Sequence, residues 1–168
     1  MSDMDNMDNI REQKMRTAAF SGHRTIAHDR RDELKASLAV AASDAYASGV
    51  RRFLCGMAQG FDLMAADAVI ALRSEHPDVC LVAVVPFREQ SARLYPAEKA
   101  HYDAVMAGAD EVVMLSELYF KDCLLRRNDY LLAKSSRMIF YYDGAYRGGT
   151  CYTWNRARRL GLSIVNLY

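Results

Sequence analysis

The 168 residues carry 22 Lys and Arg against 21 Asp and Glu, so a formal net charge of +1 supplies no overall field to draw the chain onto nucleic acid or anionic lipid. A hydrophobic fraction of 51% over this length fits one α/β domain that buries roughly 70% of its unfolded surface. No apolar run approaches the roughly 20 residues that cross a bilayer, and no basic stretch leads into an apolar one at the start, so the expected setting is the cytoplasm.

In chain order, residues 1–15 hold little that is apolar besides methionine. They cannot offset the entropy of ordering, so a disordered tail is expected ahead of one domain over 16–168. A short strand is predicted over 17–20. Asp29 is placed to cap a helix whose Leu34, Leu38, Ala41 and Ala45 share one face, and Gly49 ends it. A second strand over 51–55 leads to a helix from about Asp62, with Ala66, Val69, Ile70 and Arg73 before Pro77. The continuous apolar run 79–85 reads as a strand covered on both faces, which is the habit of a parallel sheet between helix layers. A helix over 96–106, a strand over 111–115, a helix over 124–134, a strand over 137–142, a helix from Thr150 to Leu160 and a strand over 163–167 follow. This alternation predicts a three-layer, doubly wound, mainly parallel Rossmann-like sheet. Cys55, Cys80, Cys123 and Cys151 form no C-x-x-C pair and are expected as reduced, buried thiols. His23, His28, His76 and His101 lack metal-ligand spacing, and no metal site is expected.

Ligands of such sheets bind outside the carboxyl ends of the strands, where the strand order reverses. The loops 21–24, 56–62, 86–95 and 143–150 all leave strand ends. In the last of these, Gly148-Gly149-Thr150 joins a strand to a helix, where free N–H groups offer donors to an anion. Ser21, Gly22 and Arg24 form the corresponding turn after the first strand, and Gly56, Gly60 and Asp62 after the second. No lysine precedes Thr150, which excludes a Walker loop, and the single Gly22 in the first turn excludes the dinucleotide fingerprint.

The ordered set Ser21-Gly22-His23-Arg24, Gly56, Gly60 and Asp62, Pro86-Phe87-Arg88-Glu89-Gln90, Arg127-Asn128 and Asp143-Gly144 leading to Gly148-Gly149-Thr150 resembles the SLOG superfamily, in its YpsA-like branch. This superfamily of Rossmann-like domains includes cytokinin-activating phosphoribohydrolases and the DNA-processing protein A family. The resemblance implies a nucleotide, nucleoside-derived or ADP-ribose-like ligand, with Gly148, Gly149 and Thr150 at its phosphate and Ser21, Gly22, Arg24, Gly56, Gly60, Asp62, Arg127, Asn128 and Arg147 around it. It also implies association into dimers. The phosphoribohydrolases carry a Glu three residues after the Thr of their glycine motif. Here that position is Thr153, which cannot act as a carboxylate does.

Ligand sensing or carriage is therefore the expected role. The alternative is an N-glycosidic hydrolase or transferase that uses Asp62 or Asp143, and DNA processing is a weaker third. Bland readings stand beside the sharp ones. Gly148-Gly149 also suits a plain tight turn, Asp62 a helix cap, and Arg24, Arg147 and the pair Arg126-Arg127 a solvated surface. Cys151 stands at a helix start, where either packing or reactivity fits. A tyrosine among Tyr141, Tyr142, Tyr146 and Tyr152 is placed to stack on a base.

Overall fold

A computed structural model describes residues 2–168. Its six strands are β1 (Thr17–Gly22), β2 (Arg52–Cys55), β3 (Cys80–Val85), β4 (Glu111–Met114), β5 (Arg137–Tyr141) and β6 (Ser163–Asn166). Its helices are α1 (Asp3–Met15), α2 (Arg31–Ala47), α3 (Phe61–Glu75), α4 (Pro96–Gly108), α5 (Cys123–Lys134) and α6 (Gly149–Arg159). The strands form one sheet in the order β4-β3-β2-β1-β5-β6, with every pairing parallel. This is the doubly wound Rossmann-like arrangement.

Alternate residues of the strands serve opposite layers, as the two-residue period requires. Ala18, Phe20, Phe53, Leu81, Ala83 and Ile139 pack with α2, α3 and α4. Ala19, Leu54, Val82, Val84, Met138 and Phe140 pack with Leu131 and Leu132 of α5 and Ala157 of α6. Phe20, Phe53, Phe61 and Phe140 are closed to solvent, each worth roughly 1.5–3 kcal/mol of apolar burial.

The chain builds outward from β1 through β2 and β3 to β4, then returns to place β5 on the other side of β1. The order therefore reverses between β1 and β5, and the loops leaving these two strands diverge around a crevice. Ser21 pairs with Phe140 and Gly22 with Tyr141. The strand β1 runs two residues beyond the expected Phe20, and the His23 N–H continues the ladder to the Tyr141 carbonyl at 3.3 Å.

Two local expectations are corrected. Residues expected to be a disordered tail form α1 over Asp3–Met15. The reason is local: the Ser2 and Asp5 side chains close a reciprocal capping box at its start, while no residue of the helix is buried. Asp29 does not cap α2, because it lies inside a 3-10 turn over His28–Arg30 and no side chain caps that helix. All four cysteines are free, with Cys55 and Cys123 buried and Cys80 and Cys151 half-buried. Among the described residues no helix is long and apolar enough to cross a membrane, and no three His, Cys, Asp or Glu side chains cluster to hold a metal.

Candidate functional site

A cleft of about 480 Å³ opens at the carboxyl ends of β1 and β5. Its wall brings together Ser21, Gly22 and Arg24, then Asp62, Arg127 and Asn128, and finally Arg147, Gly148, Gly149 and Thr150. Ten of the twelve residues expected at the ligand site thus share one concavity, although they are far apart in sequence. Gly56 and Gly60 stand behind it.

The glycines do different work from that expected of them. A Cβ on Gly22 would overlap the Phe61 ring, one on Gly56 would lie 2.7 Å from Arg127 Nη1, and one on Gly60 would run into the Arg24 carbonyl. These three admit protein rather than ligand. Gly148 differs: its φ of +105° belongs to glycine, and nothing lies within 4 Å of where a Cβ would stand. It opens α6 into the cleft. No side chain caps that helix, and its first backbone bond runs from Tyr152 N–H to the Gly148 carbonyl, so the N–H groups of Gly149, Thr150 and Cys151 precede the ladder.

Arg127 is buried at the cleft floor, where Nη1 donates to the Gly56 carbonyl and Nε donates to Asn128 Oδ1 at 2.9 Å. It is not the solvated surface residue that one reading of the Arg126-Arg127 pair expected. Burial pulls its pKa down, and the Asp62 carboxylate opposes that pull. Asp62 is not a cap either. Gly60 occupies the N-cap of α3, while Asp62 Oδ2 reaches back to accept the Ala58 N–H at 3.2 Å and braces the loop. Its Oδ1 is buried without a partner among the described residues. Burial pushes the Asp62 carboxyl up to about 6, against the pull of Arg127, the Ala58 N–H and Arg24.

The remaining candidate carboxylate, Asp143, and also Asp129 are committed elsewhere. Asp143 Oδ1 accepts the Ala145 N–H at 3.0 Å and lies 2.9 Å from His23 Nε2, which also meets the Asp143 N–H at 3.1 Å, and these contacts, the Ala145 one foremost, hold its pKa down. It faces a neighbouring concavity and not the main cleft. Asp129 takes the Tyr152 hydroxyl at 2.9 Å and Arg156 Nε at 3.3 Å. Thr153 is buried, its hydroxyl donating to the Gly149 carbonyl at 2.8 Å, so it braces the first turn of α6.

None of Tyr141, Tyr142, Tyr146 and Tyr152 lines the main cleft. Tyr142 packs on Trp154 at 5.2 Å, Tyr152 is held by Asp129, and Tyr146 stands in solvent. The aromatic that does line the cleft is Tyr119, from the loop before α5, together with Lys121 and Asp122. No sequence pattern singled out this loop. Its one recognisable oddity is conformational: Asp122 at φ +67° and Met57 at φ +62° are the described non-glycine residues in the left-handed region. Asp122 lines the cleft and Met57 immediately precedes Ala58, which does; strain of roughly 1–3 kcal/mol tends to collect at such places.

A protein-family model of the YspA SLOG family matches residues 23–162. The chain belongs to that family. It is 32% identical over 113 residues to a UPF0398 protein of Halalkalibacterium halodurans, covering 66% of this chain and 60% of the relative. It is 29% identical over 102 residues to the UPF0398 protein YpsA of Bacillus subtilis, covering 60% of this chain and 57% of YpsA. It is 26% identical over 130 residues to the SPbeta prophage-derived protein YoqJ of the same organism, covering 70% and 76%. The chain spans about 60% of the length of the first two of these relatives. Among solved structures, DNA processing protein A of Helicobacter pylori, described for its single-stranded DNA binding, superposes with a TM-score of 0.64 at 17% identity. That match covers 94% of this chain and 67% of the neighbour, and is a likeness of fold.

Proposed function

We propose that this YpsA-type SLOG domain binds the phosphate of a nucleotide or nucleoside derivative at the uncapped start of α6, and that it senses or carries that ligand. The observation behind this reading is electrostatic as well as geometric. Arg24, Lys121 and Arg147 line the same cleft as the α6 N-terminus, and none of their side chains makes an ion pair or hydrogen bond among the described residues. A helix N-terminus with unpaired cations around it favours a phosphate over water, through both its N–H donors and its dipole. A volume of about 480 Å³ is ample for a nucleotide.

The test is thermal unfolding with nucleoside monophosphates and ADP-ribose, with free base assayed in parallel. At a hundred times Kd a bound ligand adds about 2.7 kcal/mol, which raises the midpoint by roughly 5–10 °C. Gly149→Asp puts a negative charge at the phosphate position, and its Cβ meets only Asn128 Nδ2 at 3.4 Å. This variant is expected to fold and to lose the stabilisation. Unchanged stabilisation in Gly149→Asp would falsify the phosphate assignment.

A catalytic reading has one observation in its favour: the Asp62 carboxyl, with a pKa pushed up to about 6, stands on the cleft wall and exchanges a proton near neutral pH. Steady release of base that disappears in Asp62→Asn would establish a nucleotide-processing enzyme in place of a sensor. DNA handling, the activity named for the Helicobacter pylori neighbour, rests on fold likeness. Its test is retention of a single-stranded oligonucleotide over a range of salt concentrations.

A further inference from the structure

One carboxylate oxygen of Asp62 is not satisfied by the protein. Its Oδ2 accepts the Ala58 N–H at 3.2 Å, whereas Oδ1 is buried with no partner among the described residues. A buried acceptor without a donor costs free energy, and folded chains rarely leave one so. Asp62 is 5% exposed and belongs to the wall of the main cleft, so a donor that satisfies it arrives from that side. Asp turns readily about its last torsion, and a small turn is enough to present Oδ1 to such a donor.

The neighbours on that wall are of the matching kind. Arg127 Nε donates to Asn128 Oδ1 at 2.9 Å, which fixes the orientation of the amide. Asn128 Nδ2 lies 3.4 Å from the place a Cβ would take on Gly149, beside the start of α6, and donates to no group among the described residues. Ser21, at the end of β1, is also buried on this wall, and its hydroxyl likewise has no partner among the described residues. An ionised carboxylate accepts, an amide nitrogen donates, and a serine hydroxyl does both. A phosphate calls for donors alone. A sugar hydroxyl is donor and acceptor at once, and an unpaired acceptor set among free donors suits it.

We propose that Asp62 accepts a hydroxyl of the ligand's sugar while Asn128 Nδ2 and the Ser21 hydroxyl hold the sugar oxygens, so that these residues select ribo- over deoxyribo-compounds. This rests on the phosphate reading of the same cleft and adds the contact that sets specificity. A ligand with the hydroxyl relieves Oδ1, and one without it leaves the penalty in place. Sites built to bond a hydroxyl discriminate strongly for that reason.

The experiment titrates AMP and 2′,3′-dideoxy-AMP by calorimetry at about pH 8, above the value of about 6 to which burial pushes the Asp62 carboxyl. The two compounds share phosphate and base. The wild type is expected to bind AMP at least about tenfold more tightly than the dideoxy compound, and Asp62→Asn to bring the two within about twofold. The amide of this variant keeps an oxygen for the Ala58 N–H and puts a donor where the carboxylate accepted. The ratio is the readout, because removing a negative charge from the cleft wall strengthens the binding of both anions alike. Equal affinities in the wild type, a comparison that needs no variant, overturn the sugar contact and leave the phosphate site standing. An unaltered ratio in Asp62→Asn overturns the assignment to Asp62. Failure of both compounds to bind overturns the sugar contact and the phosphate reading together.

Discussion

Gly22 and Asp62 show how far a residue's role depends on what surrounds it. Gly22 borders the cleft, yet the space a Cβ would need is filled by the Phe61 side chain, itself closed to solvent. Gly22→Ala is expected to cost about 1–3 kcal/mol by overpacking, read as a lower urea midpoint with an unchanged slope. Asp62 titrates near 6 in the folded protein and near 3.8 otherwise, because burial penalises the charged form. Between these values the folded state holds more protons than the unfolded state, so this group's contribution to stability falls as pH rises through the window. Two pKa units correspond to about 3 kcal/mol. Urea unfolding of the wild type should lose stability from this group between pH 4 and 7, and Asp62→Asn should lack that component. Parallel pH profiles for the two proteins would show that the carboxyl is not shifted as described.

Among the elements, α1 and α6 are held in opposite ways. The helix α6 is anchored by Thr153 and Ala157 and delivers its free N-terminus to the cleft, so its position matters more than its intrinsic preference. The helix α1 buries nothing and rests on its capping box and a few backbone contacts, such as the Thr17 hydroxyl to the Gln13 carbonyl at 2.7 Å. Deleting residues 1–15 is therefore expected to change stability by less than about 1 kcal/mol and to leave ligand binding intact. Comparison of the thermal midpoints and AMP titrations of the full chain and the 16–168 fragment checks this. A collapse of the fragment would mean that the domain begins earlier than Arg16.

Taken whole, the molecule exposes 9690 Å², against ~8400 Å² expected of a compact monomer of its 19.0 kDa mass. The unburied α1 accounts for the direction of this excess. A net charge of +1 conceals a local concentration of sign, since Arg24, Lys121 and Arg147 converge on one cleft while many other cations, such as Arg51, Arg52, Arg73 and Arg88, are paired with carboxylates. Because the three are exposed, anion binding should weaken several-fold as ionic strength rises from 0.01 M to 0.15 M and the screening length falls from about 30 Å to about 8 Å. Calorimetric titration of AMP across that range measures it. A salt-independent affinity would point to the buried Arg127 as the main phosphate contact instead.

Hydrophobic periodicity and strand-to-helix glycines were enough to read the order of six strands from Thr17 onward, because alternation and apolar runs are local consequences of burial between two layers. The loop motifs likewise mark most of the cleft, since glycine at a strand exit carries a conformational meaning that neighbours in sequence suffice to reveal. Tyr119 and Lys121 left no such mark, for they reach the cleft through the placement of β4 at the sheet edge and the left-handed turn at Asp122. The burial of Arg127, the elevated Asp62 carboxyl and the diversion of Asp143 to His23 likewise depend on partners between 65 and 120 residues away. Charge, protonation and exposure are properties of contacts, and contacts between distant segments exist once the sheet has closed its order around β1.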